Sequence, residues 1–205
     1  LAGEVEGEIP CYTCTASVDG GELTVWVTKA GGKVMSITNS RSVGTASLSP
    51  DQGAMAAYEF LSKNGFENMV ETYRYNNDGR LTVNFAYREN DVLCYPDLCS
   101  VTVALDTGSI LSFECTSYLS NHTQRTLEVP AVSVDDARTK VSPKLDVLRE
   151  QLALIPTDGE YEVLCWEFVC EAENGQHYIV CINAATGAEQ KILILLEDEN
   201  GTLAL

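Results

Sequence analysis

The sequence predicts an α+β fold of tandem units, each a helix packed on an antiparallel β-sheet. A recurring hairpin pattern, two apolar runs joined by a glycine turn, is found in residues 23–41, 101–119 and 178–196. The turn glycines, spaced by 76 and 79 residues, are Gly32, Gly108 and Gly187. Two capped helices precede the later strands at a similar interval. A pattern that recurs at a nearly constant period indicates one repeated unit.

The last hairpin shows the pattern most clearly. In its first run Tyr178, Val180 and Ile182 alternate with residues that point the other way, which is the period of two expected of a strand. Gly187 supplies the positive φ that a tight turn between strands needs. The second run, residues 191–196, is almost entirely apolar, so we expect it to be covered on both faces.

The repeat pattern divides the chain into three parts. Residues 1–46 read as a truncated copy that contains strands only, and residues 47–126 and 127–205 read as two full copies. In each full copy a helix precedes about four antiparallel strands. The chain starts at Leu1 and its first copy has no helix, so we interpret it as part of a longer protein. A membrane anchor or export signal would lie in the missing part.

The first full copy opens with a helix from Ser49 to Asn64. Ser49 is the predicted N-cap, Pro50 takes the first helical position, and Gln52 completes a capping box. Gly65 follows the helix as part of its C-terminal cap. Apolar residues recur at helical spacing and predict one buried face: Ala54, Ala57, Tyr58 and Leu61.

Strands are predicted on both sides of this helix. They cover residues 9–18, 69–75 and 81–88. The last two are joined by a hairpin turn at Asn77-Asp78-Gly79. Residues 90–98, which include Pro96, are predicted to form a loop, and residues 120–132 are predicted to form a linker.

The second full copy is predicted to open with an interrupted helix. Ser133 is its N-cap, and the acidic residues that follow favour the helix dipole. Ser142-Pro143 reads as a fresh helix start, so the helix is expected to continue beyond it. Its apolar stripe would be Leu145, Leu148 and Leu152. Strands are then predicted at residues 153–156 and 161–170.

The composition argues against several classes of partner. An apolar fraction of 45% over 205 residues is that of an ordinary globular protein, and no run of 18 apolar residues is present. A net charge of −17 argues against binding to nucleic acid, anionic lipids or anionic polymers. It favours a basic protein partner, a cation, or a role in solubility alone.

The eight cysteines lie mostly inside strand-like runs, so we interpret most of them as reduced structural thiols. Cys11 and Cys14 form a C-x-x-C pair, but redox-active pairs of this kind lie at a helix N-terminus, where the thiol pKa is lowered. Here the pair lies in a predicted strand beside Pro10, with its side chains on opposite faces. A redox site is therefore disfavoured.

Two other uses of the cysteines remain as alternatives. A four-thiolate zinc site would combine Cys11 and Cys14 with Cys94 and Cys99, although the second pair has wide spacing. A flexible loop would also allow a disulfide between Cys94 and Cys99. A third pair has the same spacing inside a predicted strand, where an odd separation splits the faces: Cys165 and Cys170.

No catalytic, cofactor-binding or metal-ligating residue is assigned from the sequence, and no enzyme activity is expected. The two histidines, His122 in the linker and His177 after a turn, are expected to be plain exposed residues rather than partners of a nucleophilic thiol. The acidic stretch of residues 197–199, followed by Asn200-Gly201, lacks the ligand spacing of an EF-hand. We interpret it as a solvated end of the chain.

A helix followed by an antiparallel sheet that ends in a Thr-Gly hairpin resembles the PepSY domain. The last copy carries more particular motifs: LALIPT from Leu152, EVLCWEF from Glu162, YIVCINAATG from Tyr178 and ENGTL from Glu199. Together they look like the C-terminal signature of the YpeB germination proteins of endospore-forming bacteria. The resemblance covers nearly the whole chain, although the middle copy matches only in pattern.

This resemblance implies a non-catalytic binding and regulatory module. YpeB-type proteins are exported to the forespore and held near the inner spore membrane by an N-terminal segment. They localise, stabilise and restrain the cortex-lytic enzyme SleB, which is needed for degradation of cortex peptidoglycan during germination. The alternatives are a metal-binding or thiol-dependent protein that uses the cysteine pairs, and a PepSY inhibitor of another secreted peptidase. Neither the interface nor the oligomeric state is predicted.

Overall fold

The computed structural model describes residues 1–157 and 161–204, which are rich in β-strand. The strands are β1 (Gly3–Val5), β2 (Cys11–Val18), β3 (Gly21–Thr28), β4 (Val34–Asn39), β5 (Met69–Asn77), β6 (Arg80–Glu89), β7 (Val92–Ala104), β8 (Ile110–Glu114), β9 (Leu145–Pro156), β10 (Glu162–Ala172), β11 (His177–Asn183), β12 (Glu189–Asp198) and β13 (Gly201–Ala204). The helices are α1 (Pro50–Lys63), α2 (Thr116–Asn121) and α3 (Val134–Arg138). In this part of the chain, no helix combines the length and apolar character that a membrane span requires.

The chain forms two compact units. Unit 1 consists of residues 1–85 and 97–122, and unit 2 consists of residues 86–96 and 123–205. Strands β6 and β7 begin in one unit and end in the other. This division does not test the predicted repeats, whose boundaries after residues 46 and 126 stay a prediction.

The strands of unit 1 lie in the order β1-β2-β3-β4-β8-β7-β6-β5. The pairings from β1 through β7 are antiparallel. The predicted first hairpin is confirmed, because Val25 of β3 faces Ile37 of β4. The second hairpin is confirmed as far as Glu114, with Val101 of β7 facing Phe113 of β8. Residues 116–119, which were predicted to belong to its second strand, lie in helix α2 instead.

Helix α1 lies where its capping pattern predicts it. The Ser49 Oγ accepts a hydrogen bond from the Gln52 amide at 3.2 Å, and the Gln52 Oε1 accepts one from the Ser49 amide at 2.9 Å. The helix packs tightly on the sheet, since a Cβ added to Gly53 would lie 2.6 Å from the Leu105 Cδ2. The buried face consists of Gly53, Ala54, Ala57 and Leu61.

An aromatic cluster fixes this helix to the sheet of unit 1. Phe113 of β8 is fully buried, and its ring centroid lies 5.2 Å from that of Phe60 and 5.4 Å from that of Phe66. Both contacts are edge-to-face, the arrangement that aromatic quadrupoles favour. Helix α1 and the segment after it are therefore held by the same ring.

In unit 2 the strands lie in the order β13-β12-β11-β10-β9, all antiparallel. The first residues of β7 pair in parallel with β9, where Val92 faces Leu152. Helix α3 covers part of one face, with Ala137 packed on Phe168 of β10 and Val180 of β11. The core of this unit is thus built between a long sheet and a five-residue helix.

The prediction of a loop over residues 90–98 was wrong, because most of this stretch belongs to strand β7. The chain turns at Asn90 and Asp91, both of which have positive φ, and extends from Val92 onward. Pro96 suggested a loop because proline cannot donate to a ladder. It is tolerated here beyond the three residues that pair in parallel with β9.

The prediction of a helix restarting at Ser142-Pro143 was also wrong. Helix α3 ends at Arg138, and the leucine stripe lies in strand β9. Leu145 and Val147 pack against the core of unit 2. Leu148 is the extra residue where the register of β9 and β10 shifts, and its side chain is 55% exposed. A bulge adds one residue to a strand and so disrupts the period of two by which strands are recognised.

The linker prediction for residues 120–132 needs a smaller correction. Helix α2 ends at Asn121, so the linker starts two residues later than expected. Residues 123–132 are without regular structure, as predicted.

Candidate functional site

A groove runs beside helix α1 in unit 1. Its cavity volume is about 680 Å³, and its walls are formed by one side of α1 and by strand β5. Its floor is apolar, because Ala54, Met69 and Phe85 are buried to 8%, 3% and 2% exposure. The groove is therefore an open apolar surface on a well-packed base.

Two large side chains project beside this floor. Met55 is 65% exposed and Tyr58 is 54% exposed. Tyr58 was predicted to belong to the buried face, and that prediction was wrong. The contact face of α1 is centred on Ala57 and Leu61, and one further step around the helix brings Tyr58 out to the rim. Methionine and tyrosine are enriched at protein interfaces. The flexible methionine side chain adjusts its shape to the partner, and the rigid tyrosine ring buries a large apolar area.

The rim of the groove carries an excess of negative charge. Arg74 of β5 reaches across to α1, with its Nη2 donating to the Asp51 Oδ1 at 2.6 Å. Its Nε also lies 3.4 Å from the Glu71 Oε1. Glu59 adds a third carboxylate to the lining. Glu59 is paired instead with Lys63, at 3.2 Å. Two carboxylates thus share the Arg74 guanidinium, which leaves a rim that favours a basic or neutral ligand.

A second apolar surface lies in unit 2 on strand β12. Ile192, Ile194 and Leu196, which we call the β12 row, are 49%, 42% and 45% exposed. The prediction that residues 191–196 are covered on both faces was therefore wrong. Val180 pairs with Ile192 and belongs to the face that α3 covers, so the row extends the same face beyond the end of the short helix.

A dense polar network fixes the turn at Asp106 in unit 1. The Arg41 guanidinium donates to both carboxylate oxygens of Asp106, at 2.7 and 3.0 Å, and also to Ser109. The Gly44 amide donates to the same carboxylate at 2.7 Å. The guanidinium and this amide hold the pKa of Asp106 well below its usual range. Sequence reasoning missed Arg41, because a lone basic residue at the end of a strand carries no motif.

The C-x-x-C pair does not form a redox site. Cys11 is fully buried, and its thiol donates to the Ile9 carbonyl at 3.3 Å. Burial raises the pKa of Cys11, which disfavours the reactive thiolate. Cys14 is three residues away in the same strand, so the two side chains lie on opposite faces.

The proposed partnership of Cys94 and Cys99 is also absent. Both residues lie in strand β7, and a separation of five residues directs their side chains to opposite faces, which excludes a direct disulfide. The cysteines are thiols in this structure. Within residues 1–157 and 161–204, no group of three or more Cys, His, Asp or Glu side chains has the geometry of a metal site.

The last pair, Cys165 and Cys170, divides as its spacing predicts. Cys170 packs under α3 with Phe168, whereas Cys165 faces the other side of the sheet. There burial, with the nearby carboxylate of Glu167, raises the pKa of Cys165 to about 11. Glu167 is itself 1% exposed and accepts a hydrogen bond from the Gln151 Nε2 at 2.7 Å. These thiols serve as packing groups.

The histidines were expected to be plain exposed residues, which is wrong for both His122 and His177. The His122 Nδ1 lies 2.6 Å from the Oδ2 of Asp97, a fully buried carboxylate, and its ring stacks on Tyr118 with centroids 4.3 Å apart. His177 is partly buried, and its Nδ1 contacts the Glu197 Oε2. Both rings are held by carboxylates rather than placed beside a nucleophile.

The acidic end of the chain forms a turn between β12 and β13. The Asp198 Oδ1 accepts a hydrogen bond from the Asn200 amide at 2.8 Å. This contact stabilises the turn locally, as Asp and Asn side chains commonly do.

The chain is similar to sporulation proteins. The family model for YpeB sporulation, PepSY1 and PepSY2 domains matches residues 2–128. A sporulation protein YpeB from Halalkalibacterium halodurans is 37% identical over 175 residues, which are 84% of this chain and 38% of that protein. Its counterpart from Bacillus subtilis is 33% identical over 170 residues, covering 81% of this chain and 37% of that protein.

A solved structure also matches. The C-terminal domain of YpeB from Bacillus megaterium superposes with a TM-score of 0.84 at 28% sequence identity, covering 93% of this chain and 85% of that one. The chain spans less than half the length of the curated relatives above, but most of this solved domain.

Proposed function

The chain belongs to the YpeB sporulation family, and from this premise we propose that it is a non-catalytic binding module for a SleB-type cortex-lytic hydrolase. Its relatives are sporulation proteins of endospore-forming bacteria, and PepSY is not a catalytic family. In this proposal the module localises and stabilises the hydrolase and restrains it until germination. The enzyme then degrades cortex peptidoglycan.

One observation carries the proposal: the groove beside α1 combines an apolar floor with an acidic rim. Met55 and Tyr58 stand exposed over buried Phe85, so a partner can bury apolar surface there without rearranging the core. Asp51 and the other carboxylates of the rim attract a basic surface. A hydrolase that binds an anionic polymer is expected to carry such a surface.

The net charge of −17 is an independent argument for a basic hydrolase as the partner. A strongly acidic module does not adhere to an anionic cortex, yet it speeds the encounter with a basic enzyme. It would also compete with peptidoglycan for the polymer-binding surface of that enzyme. Restraint of the hydrolase follows from this competition.

We further propose that the fold consists of tandem PepSY-like units, with a truncated copy over residues 1–46 and full copies over residues 47–126 and 127–205. Equivalent hydrogen bonds support this: the Leu48 amide donates to the Leu105 carbonyl, and the Val132 amide to the Ala184 carbonyl, both at 2.9 Å. In each case the donor precedes a serine N-cap and the acceptor precedes a glycine turn.

The proposed location is the region between the inner forespore membrane and the cortex. The support is the membership of a sporulation family, together with the large part of the relatives that lies outside this chain. An export signal and an anchor would belong to that part. Attachment to the membrane would then leave the module itself free to hold the hydrolase.

The test is binding of this protein to a purified SleB-type hydrolase by isothermal titration. Replacing Tyr58 with glutamate is expected to weaken the affinity about tenfold or more, because it places a charge on the apolar anchor of the groove. Tyr161→Glu is the matched control, since Tyr161 is 78% exposed and lies in unit 2. Its affinity is expected to remain that of the wild type.

Two further measurements test separately which surface binds and whether the hydrolase is the partner. Ile194→Glu alters the β12 row instead of the groove, so a loss confined to this variant would move the docking surface to unit 2. Affinity should fall between about 50 and 500 mM salt, because a Debye length of about 10 Å at 0.1 M already screens exposed charges. Absence of binding at low salt would reject the partnership.

A further inference from the structure

Two buried thiols of unit 1 face each other on neighbouring strands. Cys99 lies in β7, and Cys115 directly follows β8. Because Ser100 faces Glu114 in this antiparallel pair, the next step of the register sets Cys99 opposite Cys115. Their side chains are 2% and 0% exposed. The Cys115 thiol donates to the Met35 carbonyl at 3.3 Å, so a bond to the Cys99 sulfur requires rotation of the Cys115 side chain toward β7.

The backbone shows which kind of cross-strand pair this is. The Cys115 amide donates to the Met35 carbonyl at 3.1 Å, on the side of β4, and therefore points away from β7. Such a non-hydrogen-bonded pair brings the Cα atoms to about 4.5 Å and the side chains closest together. A disulfide closes without backbone movement at Cα separations of about 4.4 to 6.8 Å.

We propose that Cys99 and Cys115 form a disulfide when the protein meets a disulfide oxidant, either a small-molecule disulfide or an oxidised thiol oxidoreductase. One cysteine loses its proton and attacks a sulfur of the oxidant, which releases the first oxidant thiol. The other cysteine loses its proton and attacks the resulting mixed disulfide, which forms the Cys99–Cys115 bond and releases the second oxidant thiol. The oxidant carries away two electrons and two protons.

The oxidant reaches the pair through Cys115. This residue is the N-cap of α2 but makes no capping hydrogen bond with its side chain, and α2 has no buried residue. Local opening of this six-residue helix, which breaks the edge-to-face contact of Tyr118 with Phe66, would uncover the Cys115 sulfur. In the closed form, the neighbouring Cys115 thiol and burial raise the pKa of Cys99, so the folded protein reacts slowly. Oxidation during folding is faster.

The chain offers a matched control in unit 2. Cys165 and Cys181 are also buried on neighbouring strands, at 0% and 2% exposure. Cys181 faces Glu167, however, and Cys165 faces Asn183, so these two thiols are diagonal neighbours. Diagonal Cα atoms lie about 7 to 8 Å apart, beyond the usual reach of a disulfide. The two cysteine pairs are equally buried but differ in strand register, so a difference in disulfide yield between them reports the effect of geometry.

The test is a disulfide map of the whole chain. The protein is refolded in a buffer of reduced and oxidised glutathione, and a second sample is incubated natively in the same buffer. Both are alkylated, digested without reduction and examined by mass spectrometry. The peptides of Cys99 and Cys115 are expected to be linked, with a yield about tenfold or more above that of Cys165 with Cys181 because of their register.

Single variants assign the bond. Cys99→Ser and Cys115→Ser should each abolish the linked peptide, and Cys165→Ser should leave it unchanged. If one serine variant does not fold, the other suffices, since loss of either thiol removes the bond. The oxidised protein should denature at a higher temperature than the reduced one, because the bond closes a loop in the unfolded chain. No Cys99–Cys115 linkage in either sample, or equal linkage of the control pair, would overturn the proposal, which does not depend on the proposed partner.

Discussion

Helix α1 of unit 1 and helix α3 of unit 2 start alike and end differently. Each helix has a serine N-cap whose side chain accepts a backbone hydrogen bond, Ser49 from Gln52 and Ser133 from Asp136. Yet α1 continues for 14 residues and α3 for only five. The same local start therefore yields a long helix in one unit and a single turn in the other. A cap initiates a helix, but packing further along the chain decides its length.

The packing that extends α1 is visible in unit 1. Phe60, near its C-terminal end, packs edge-to-face on Phe113 of β8, and Leu61 is fully buried. In unit 2 the corresponding stretch of chain leaves α3 and enters strand β9 beside β10. The sheet face that a longer helix would cover is left partly open, as the half-exposed β12 row shows.

The hairpin turns of the two units are also stabilised differently. In unit 1 the first turn residue is Asp106, which Arg41 and the Gly44 amide clamp. In unit 2 Ala185 takes that place, and the turn is held by Asn183, whose Oδ1 accepts from the amides of Ala185 and Thr186. Unit 1 thus fixes its turn by long-range charge, and unit 2 fixes its own locally.

The largest expected effect breaks the aromatic packing of unit 1. Phe113→Ala and Phe168→Ala each empty a fully buried site, one in each unit, and each is expected to cost about 3–5 kcal/mol of unfolding free energy. Phe113 should lie at the upper end, because it also loses two edge-to-face contacts of about 0.5–1.5 kcal/mol each. Urea denaturation measures the loss. Hydrogen exchange should show deprotection of α1 only for Phe113→Ala, and an α1 that stays protected would contradict the comparison.

An intermediate effect concerns the charged turn and its response to pH. The lowered pKa of the Asp106 carboxyl means that its ionised form stabilises the fold near neutral pH. This contribution should be lost as the pH falls below about 4, where the unfolded carboxyl gains its proton, towards the lower folded pKa. Asp106→Asn should flatten this part of the stability profile, measured by denaturation between neutral and acidic pH. Asp91→Asn is the control, and an equal flattening there would contradict the assignment to Asp106.

The smallest expected effect compares the two caps. Ser49→Ala removes the capping box of a long helix and should cost about 1 kcal/mol. Ser133→Ala should cost less, because α3 spans a single turn and contributes less packing. Ser17→Ala, at an exposed strand position, is the matched control and should be neutral. Thermal denaturation ranks the three variants; a larger loss at Ser133 than at Ser49 would reverse the inferred roles of the helices.

Much of the fold could be predicted from sequence because its signals are local. The hairpin turns rest on glycines with positive φ, such as Gly108 at 77° and Gly187 at 74°, and α1 rests on a capping box within four residues. The errors occurred where distant residues intervene. Pro96 was read as a loop residue, yet it lies inside strand β7, whose first three residues pair with β9.

The candidate groove could be predicted only in part. The helix that forms one wall was predicted correctly, but Tyr58 was placed on its buried side. A helical period defines a face to within about one residue position, since successive residues turn by about 100°. Whether a side chain at the margin of that face is buried depends on the width of the sheet beneath it. The rim ion pair of Arg74 with Asp51 joins residues 23 positions apart and has no sequence motif.

The amino-acid sequence alone determined where the glycine hairpins turn and where α1 and α3 begin, because backbone φ and capping hydrogen bonds depend on residues within a few positions. It did not determine that residues 145–152 extend as a strand, that Ile194 stays half exposed, or that Cys99 lies opposite Cys115. Those outcomes depend on which strands pair and in what register. Pairing is set by burial summed over segments far apart in the chain, so only the folded structure shows it.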